Sequence, residues 1–357
     1  MAKLFEPLKL KNITLRNRIG VSPMCQYSSL DGIVNDWHLV HLGSKAAGGA
    51  GLVMTEASAV SPEGRITLGD AGIWSDEHIA PWAKVFKFIK SQGAVAGMQL
   101  AHAGRKGSTE KPWHGGKSLI GDSAWETLAP SAIPFGRHLT RTPKEMQRSD
   151  IIKLISDFAS AAKRAEVAGA EWLEIHAGHG YLFHEFLSPL ANFRTDEYGG
   201  SFQNRTRLLL DTVRMVRAAW SQTLPLAVRI SATDWDENGW TLDDSVELAK
   251  ILKIEGVDLI DVSSAFVAPS EKPYPMAPGW QVPLSEEIKS KVGILTATVG
   301  MISDPQQAEK ILKADQADLV LMAKEYLRNP HWAIRAAKEL DVDVTTAAAI
   351  QITHWLK

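Results

Sequence analysis

Short apolar runs alternate with longer amphipathic stretches along most of the chain. The short runs are rich in Val, Ile and Leu and lack in/out alternation, which is typical of strands that are covered on both faces. We expect eight such strands, at 19–22, 51–57, 94–100, 171–176, 225–231, 257–263, 293–297 and 318–322.

The amphipathic stretches between these runs predict helices at 36–48, 76–92, 150–168, 204–220, 242–255, 283–291, 304–314 and 330–340. Capping residues support several of their ends. Polar side chains that accept hydrogen bonds precede three helices, and a glycine follows three helices, two of which also have the polar signal at their start. These signals are Ser75-Asp76, Ser149-Asp150, Ser303-Asp304-Pro305, Gly93, Gly169 and Gly256.

A strict alternation of eight strands with eight helices predicts a parallel sheet, and eight strands are the number that closes a TIM barrel. We therefore expect a single (β/α)8 domain over 1–357, with a long excursion at about 102–148 after strand three. A doubly wound open sheet is the structural alternative. Its G-x-G-x-x-G signature is absent, and the GGKS at 115–118 is not a P-loop because position 111 is Lys.

Composition narrows the function classes. Lys plus Arg number 39 and Asp plus Glu 41, so no basic face for nucleic acid is expected. No apolar run is long enough to span a bilayer, and the N-terminus does not resemble a signal peptide. One cysteine excludes an internal disulfide and a cysteine-ligated metal cluster. We expect a cytoplasmic protein that acts on a small molecule.

In a TIM barrel, function comes from residues just beyond the carboxyl ends of the strands. The predicted strands place an unusual set of polar residues there, namely Ser22–Tyr27, Ala57, Gln99, His102, Lys106, His176–Tyr181, Arg229, Val299-Gly300 and Ala323-Lys324. A buried Arg229 would need an anionic partner. Gly300 and Lys324 follow strands seven and eight, where barrels commonly bind phosphate. Together they point to a phosphorylated cofactor or substrate.

The spacing of these residues in the sequence also allows other interpretations. Cys25 fits a small buried side chain or a nucleophile. His176 and His179 fit hydrogen-bond donors, satisfied polar side chains or two metal ligands, although no third ligand and no H-E-x-x-H motif is evident. We expect no metal.

The chain resembles the old yellow enzyme family, in the branch of short bacterial NADPH dehydrogenases and xenobiotic reductases that carry a cysteine near the flavin. The resemblance covers nearly the whole chain. It is carried by LKNITLRNRIGVSPMCQYSS at 10–29, GLVMTEASAVSPEGRIT at 51–67, GIWSDEH at 72–78, QLAHAGRK at 99–106, APSAIPF at 129–135, EIHAGHGYLFHEFLSPLANFRTDEYGGSFQNR at 174–205 and VGMISDPQQAEKIL at 299–312.

The resemblance implies an FMN-dependent ene-reductase that takes hydride from NADPH or NADH in a ping-pong cycle. It implies noncovalent FMN held by Ser22, Pro23, Met24, Cys25, Ala57, Gln99, Arg229, Val299, Gly300, Ala323 and Lys324. His176 and His179 would bind the carbonyl oxygen of an unsaturated substrate, Tyr181 would supply a proton, and Cys25 would tune the flavin. Tyr27, Trp280, His354 and Trp355 would line the substrate pocket.

The chain departs from the family pattern at one place. The family usually has Gly-Arg where this chain has Ala323-Lys324, so weaker retention of FMN is expected.

The resemblance also implies a homodimer or homotetramer, with 353–357 a candidate contact with a neighbouring subunit. The alternative function is a non-catalytic barrel that binds phosphate or flavin. Enones, maleimides, nitro compounds, nitrate esters and lactones are all candidate substrates.

Overall fold

The computed structural model describes residues 2–270 and 274–344. Eight parallel strands close into a barrel in which neighbours in the chain are neighbours in the sheet. They are β1 (Ile19–Val21), β2 (Leu52–Ala59), β3 (Val95–Ala101), β4 (Trp172–Ala177), β5 (Leu226–Ser231), β6 (Leu259–Ser263), β7 (Leu295–Thr298) and β8 (Leu319–Met322). Pairing of Val320 with Ile19 closes β8 onto β1. The predicted TIM barrel is confirmed.

One helix follows each strand, and together these helices form the outer layer. Their bounds are α1 (Asp36–Ala47), α2 (Ile79–Ser91), α3 (Arg148–Val167), α4 (Phe202–Ala219), α5 (Leu242–Ile254), α6 (Val282–Val292), α7 (Pro305–Lys313) and α8 (Trp332–Glu339). All eight predicted helices are present. Two further short helices were not predicted, at Leu182–Leu187 and Lys324–Arg328.

The predicted start of the third helix is wrong by two residues. Helix α3 begins at Arg148, so Ser149 lies inside it and Gln147 is the N-cap. The carboxylate of Asp150 accepts a hydrogen bond from the backbone N–H of Gln147 at 2.9 Å, as in a capping box. By contrast, Asp304 caps α7 as predicted, because its side chain accepts from the N–H of Gln307 at 2.7 Å.

An antiparallel hairpin formed by Leu8–Leu10 and Ile13–Leu15 covers the amino end of the barrel. Its three buried leucines pack against the first residues of the barrel strands, among them Leu52, Trp172 and Leu259. A second, larger apolar cluster fills the space between the barrel and its helices. With the amino end closed in this way, the carboxyl ends of the strands form the open face of the barrel.

The excursion after β3 lies at that carboxyl face. It consists mainly of irregular chain with short 3-10 turns and a two-residue pairing of Leu128–Ala129 with Lys144–Glu145. Within the described residues, no helix has the length and apolar character that crossing a membrane requires.

Candidate active site at the carboxyl face of the barrel

Strand register places the predicted polar residues side by side at the top of the barrel. Ala57 on β2 pairs with Gln99 on β3, and Gln99 pairs with Glu174 on β4. One step higher, His176 on β4 pairs with Arg229 on β5, and Arg229 pairs with Asp261 on β6. The barrel therefore brings residues that are far apart in sequence into two adjacent rows.

The segment after β1 begins with Ser22, whose N–H donates to the carbonyl of Met322 at 2.9 Å and so ties the segment to β8. Cys25 is half-buried. Burial raises the pKa of its thiol well above the usual value, and the nearby Asp70 and Glu56 carboxyls raise it further. A neutral thiol is a poor nucleophile, so this environment disfavours the hydrolase interpretation of Cys25.

The two predicted histidines face each other. Nδ1 of His179 lies 3.3 Å from Nε2 of His176, and Nε2 of His179 lies 2.6 Å from Oγ of Ser263. Burial lowers the pKa of both rings well below 6.5, and the positive charge of Arg229 lowers it further. Both histidines are consequently neutral near pH 7. Within the described part of the chain, no group of three or more His, Cys, Asp or Glu residues could hold a metal ion.

A tight turn after β4 presents His179 and Tyr181. His179 has a φ of 57° and Gly180 a φ of 70°. A Cβ at position 180 would lie only 2.0 Å from the carbonyl oxygen of Phe266, so this position requires glycine. The N–H of Gly180 donates to Nδ1 of His184 at 2.9 Å, and Nε2 of His184 lies 2.9 Å from a carboxylate oxygen of Asp234. This buried pair supports the turn and was missed in the sequence.

Tyr181 lies next to His176 and lines a cavity of about 250 Å³. Its ring centroid lies 5.2 Å from that of His176, and the tyrosine also forms part of the cavity wall together with Tyr27, Lys106 and His138. Burial raises the pKa of the Tyr181 phenol, and Cys25 and Asp70 add to the effect. The phenol is therefore protonated at any working pH.

Arg229 has an anionic partner within the protein. Its Nε lies 2.9 Å from a carboxylate oxygen of Asp261, and both side chains are buried. The chain itself thus supplies the partner that sequence analysis assigned to a ligand. No hydrogen bond from the two terminal guanidinium nitrogens is found among the described residues, so these nitrogens can still donate to a ligand.

Glu174 and Gln99 lie beside this ion pair. Burial raises the pKa of Glu174 to about 8, and Asp261 contributes, so Glu174 is mostly protonated at pH 7. Nε2 of Gln99 donates to Oε1 of Glu174 at 2.8 Å. Neither acidic residue was singled out from sequence, because each lies inside an apolar run. Both could have been found from their position, because an acidic residue is rare in a strand that is buried on both faces.

The backbone of the loop after β7 approaches its neighbours closely at Gly300. Gly300 has a φ of 128°, and a Cβ there would lie 3.1 Å from the ring of Trp280 and from Nε2 of Gln281. Trp280 in turn stacks on Trp235 at a centroid distance of 5.9 Å. The structure thus places Trp280 beside Gly300, whereas the cavity that Tyr27 and Tyr181 share has other lining residues.

Lys324 is the first residue of the short helix Lys324–Arg328, and its side chain is exposed. Ala323 precedes it as the N-cap, with a φ of −109° that needs no glycine. Two other predicted residues, His354 and Trp355, lie outside the described residues. Their proposed contact with substrate stays a prediction.

Comparison with known proteins decides the family. The model of the NADH:flavin oxidoreductase / NADH oxidase family matches residues 3–343. The chain belongs to this family. The resemblance to the old yellow enzymes is confirmed, and the chain is a flavin-dependent oxidoreductase that uses FMN and NAD(P)H. The alternative of a non-catalytic binding barrel is wrong.

Relatives support the assignment along the whole chain. This oxidoreductase is 47% identical over 350 residues to an NADPH dehydrogenase of Geobacillus sp. (strain WCH70), covering 98% of this chain and 97% of that relative. It is 46% identical over 344 residues to an NADPH dehydrogenase of Bacillus subtilis (strain 168), covering 96% of each.

Solved structures agree in fold. Morphinone reductase matches with a TM-score of 0.79 and 26% identity, over 96% of this chain and 90% of that one. A 2-naphthoyl-CoA reductase has a TM-score of 0.86 over 94% of this chain and 52% of its own. At 24% identity, the second comparison shows a shared fold alone.

Proposed function

We propose that this oxidoreductase reduces the C=C bond of α,β-unsaturated ketones and aldehydes in a ping-pong cycle, with NADPH or NADH as the source of hydride. The arrangement that carries the proposal is the pair of neutral imidazoles, 3.3 Å apart, with a protonated phenol beside them. Two N–H donors for an oxygen and one proton donor for a carbon are what reduction of an enone requires.

The residues at the barrel mouth fit FMN, which supplies hydride transfer when it is bound. The terminal nitrogens of Arg229 can donate to the acceptor atoms of the flavin pyrimidine ring. Oε1 of Gln99 receives no hydrogen bond from the described residues, so it can accept from the pyrimidine N–H. The 22–25 segment and Ala57 would also contact the flavin ring. The FMN phosphate would be bound by Val299, Gly300, Ala323 and Lys324.

His176 and His179 act on the substrate carbonyl. Their N–H groups donate to its oxygen, which draws electron density away from the alkene and makes the β-carbon ready to accept hydride. Because both rings are neutral, each binds the oxygen through a hydrogen bond without a competing positive charge. The positive charge of Arg229 lies in the same row as His176, on the neighbouring strand, where it would stabilise negative charge on a reduced flavin.

Tyr181 completes the addition. Its O–H bond breaks, the proton forms a C–H bond at the α-carbon, and the O–H electron pair stays on the phenol oxygen until water returns a proton. An enolate-like intermediate is basic enough to take a proton from a phenol whose pKa is raised. Tyr27 lines the same cavity as Tyr181 and would bound the space for the substrate.

Cys25 contributes no covalent step. Its neutral thiol, close to the backbone of Ala57, would adjust the redox potential of the flavin. We expect Cys25→Ala to change the rate and the potential while turnover survives. Loss of all turnover in this variant, with FMN still bound, would support the nucleophile interpretation instead.

The test is anaerobic and has two halves. Flavin absorbance is first followed during reduction by NADPH and, separately, by NADH, and then during reoxidation by 2-cyclohexenone. We expect fast reoxidation by the enone, none by saturated cyclohexanone, and parallel double-reciprocal plots in steady state. Tyr181→Phe should slow reoxidation and leave reduction by NADPH largely intact. A reduced flavin that 2-cyclohexenone does not reoxidise would rule out the proposed activity.

A cytoplasmic location, an assembly of two or four chains and a role in transforming xenobiotics are further proposals that rest on the family resemblance. Light scattering on the eluting peak of a size-exclusion column tests the assembly. A monomer that turns over at the full rate would exclude any contribution of 353–357 to a neighbouring site.

A further inference from the structure

Lys106, at the end of the first 3-10 turn after β3, reaches across to two other loops of the active face. Its Nζ donates to the carbonyl oxygen of His179 at 2.7 Å and to that of Phe266 at 3.3 Å. The first carbonyl belongs to the tight turn after β4, and the second to the loop after β6. One ammonium group therefore ties together three loops that surround the substrate cavity.

The same ammonium group also faces two aromatic rings. Nζ of Lys106 lies 5.0 Å from the ring centroid of Tyr181 and 4.9 Å from that of Phe135. Both distances are within the range of cation–π attraction. Since Lys106 also lines the cavity with Tyr181, its positive charge lies next to the phenol that gives up a proton in the proposed reaction.

The charged groups around Lys106 come from several elements. Arg105 precedes it in the same turn, Glu185 belongs to the helix Leu182–Leu187, and the rings of His176 and His179 are close enough for the charge of Lys106 to lower their pKa values. Burial lowers the pKa of Lys106 to about 8, although Glu185 raises it, while burial raises the pKa of Glu185 to about 8. Lys106 is mostly charged at pH 7 and loses its proton as the pH rises through about 8.

We propose that Lys106 is a positioning residue for Tyr181, holding the turn that carries the phenol and offsetting the negative charge that the phenol oxygen gains when its proton moves to the substrate. This inference rests on the proposed ene-reductase function and adds a residue to it. A positive charge close to a developing phenolate stabilises the transition state of proton transfer more than the ground state. Removal of the charge should therefore slow the oxidative half-reaction and spare the reductive one.

A spectroscopic test needs no turnover. The chain has five tyrosines, so ¹³Cζ-tyrosine labelling gives a simple spectrum in which Tyr181→Phe assigns the resonance of interest. In the FMN-loaded enzyme we expect the Tyr181 resonance to shift with a midpoint near pH 8. The shift should vanish in Lys106→Met and persist in Glu185→Gln. A Tyr181 resonance that does not move between about pH 7 and 9 in the unaltered enzyme would overturn the proposal.

The kinetic test separates charge from shape. We expect Lys106→Met to slow flavin reoxidation by 2-cyclohexenone on the order of tenfold or more, with a change of less than about twofold in reduction by NADPH. In the unaltered enzyme, reoxidation should slow above about pH 8. Lys106→Arg, which stays charged, should recover part of the rate and lose that pH dependence.

Equal reoxidation rates for Lys106→Met and the unaltered enzyme would overturn the proposal. So would a decline above pH 8 that Glu185→Gln abolishes and Lys106→Met retains. If the unaltered enzyme does not pass electrons to 2-cyclohexenone at all, the proposed function fails instead, and the NMR titration still reports on the contact between Lys106 and Tyr181.

Discussion

Nε2 of His176 and Nδ1 of His179 lie 3.3 Å apart, and the neighbours of the two rings determine which nitrogen carries the proton. The N–H of Gly178 donates to Nδ1 of His176 at 3.4 Å, so the proton of this neutral ring is on Nε2. Nε2 of His179 faces the hydroxyl of Ser263, whose single proton can go either to this nitrogen or to Oε1 of Gln281, 3.3 Å away. When Ser263 donates to His179, Nδ1 of His179 carries a proton and both rings offer an N–H to one oxygen.

The histidine pair gives the first prediction. Replacement of either His176 or His179 by Ala should lower kcat/KM for 2-cyclohexenone by roughly 10²–10³-fold, because one of two donors to the developing enolate oxygen is lost. His179→Asn keeps an N–H donor and should retain more activity. Ser263→Ala, which leaves both rings in place, should show a smaller loss. Similar rates for His179→Ala and the unaltered enzyme would contradict the assigned role.

The depressed histidine pKa values give the second prediction, which concerns pH. Both rings stay neutral well below pH 6.5, so protonation of the pair does not begin in the range where a free histidine titrates. The rate of flavin reoxidation by 2-cyclohexenone should therefore be flat from about pH 6 to 7.5. The measurement is a stopped-flow pH profile with His138→Gln as the control for an outer histidine. A change of the reoxidation rate with a midpoint near pH 6.5, present in the unaltered enzyme and absent in His176→Ala, would show that the pair is not held neutral.

The buried pair of Arg229 and Asp261 gives the third prediction. Arg229→Met leaves a carboxylate buried without its cation, which typically costs about 3–5 kcal/mol of the free energy of unfolding. Arg229→Met combined with Asp261→Leu should recover much of that loss, since no charge is then left buried. Both variants should lower the flavin reduction potential, because the positive charge beside the reduced ring is missing in each.

Chemical denaturation and potentiometry of the FMN-loaded protein check the two parts separately. Asp261→Asn with Arg229 intact is the matched control, since it keeps the cation at the flavin. If the double variant has an unaltered potential, Arg229 does not act on the flavin.

The barrel could be predicted from sequence because each strand is a short apolar run with a helix-length amphipathic stretch behind it. All eight strands lie within two residues of their predicted bounds. Among the helix starts, α2 begins three residues after its predicted start, behind a 3-10 turn at Asp76–His78, and α3 begins two residues early, where the carboxylate of Asp150 accepts from a backbone N–H that precedes the helix. The hairpin at the amino end was missed because its two three-residue strands are too short for a periodic signal.

The site was less accessible to prediction. The triplet of His176, His179 and Tyr181 could be found because a single local turn brings its members together. Partnerships across the barrel could not. Asp261 faces Arg229, and Lys106 faces Tyr181, only because of barrel closure and loop geometry, which no spacing in the sequence encodes.

The phosphate end gives the last prediction. Lys324 stands where the resemblance to the family implies Arg, at the start of a short helix and exposed to solvent, so it would offer a single charge where Arg would offer two parallel N–H donors. We expect Lys324→Arg to tighten FMN binding by up to roughly fivefold, the range of an exposed ion pair, and Lys324→Met to weaken it to a similar extent.

The measurement is equilibrium titration of apoprotein with FMN, followed by fluorescence. Lys310→Arg, on the exposed side of α7, controls for a general effect of the exchange. Gly300→Ala should lose far more affinity, because a Cβ at a φ of 128° meets the ring of Trp280 and displaces the loop. Equal dissociation constants for the unaltered protein, Lys324→Arg and Lys324→Met would show that residue 324 does not contact the phosphate.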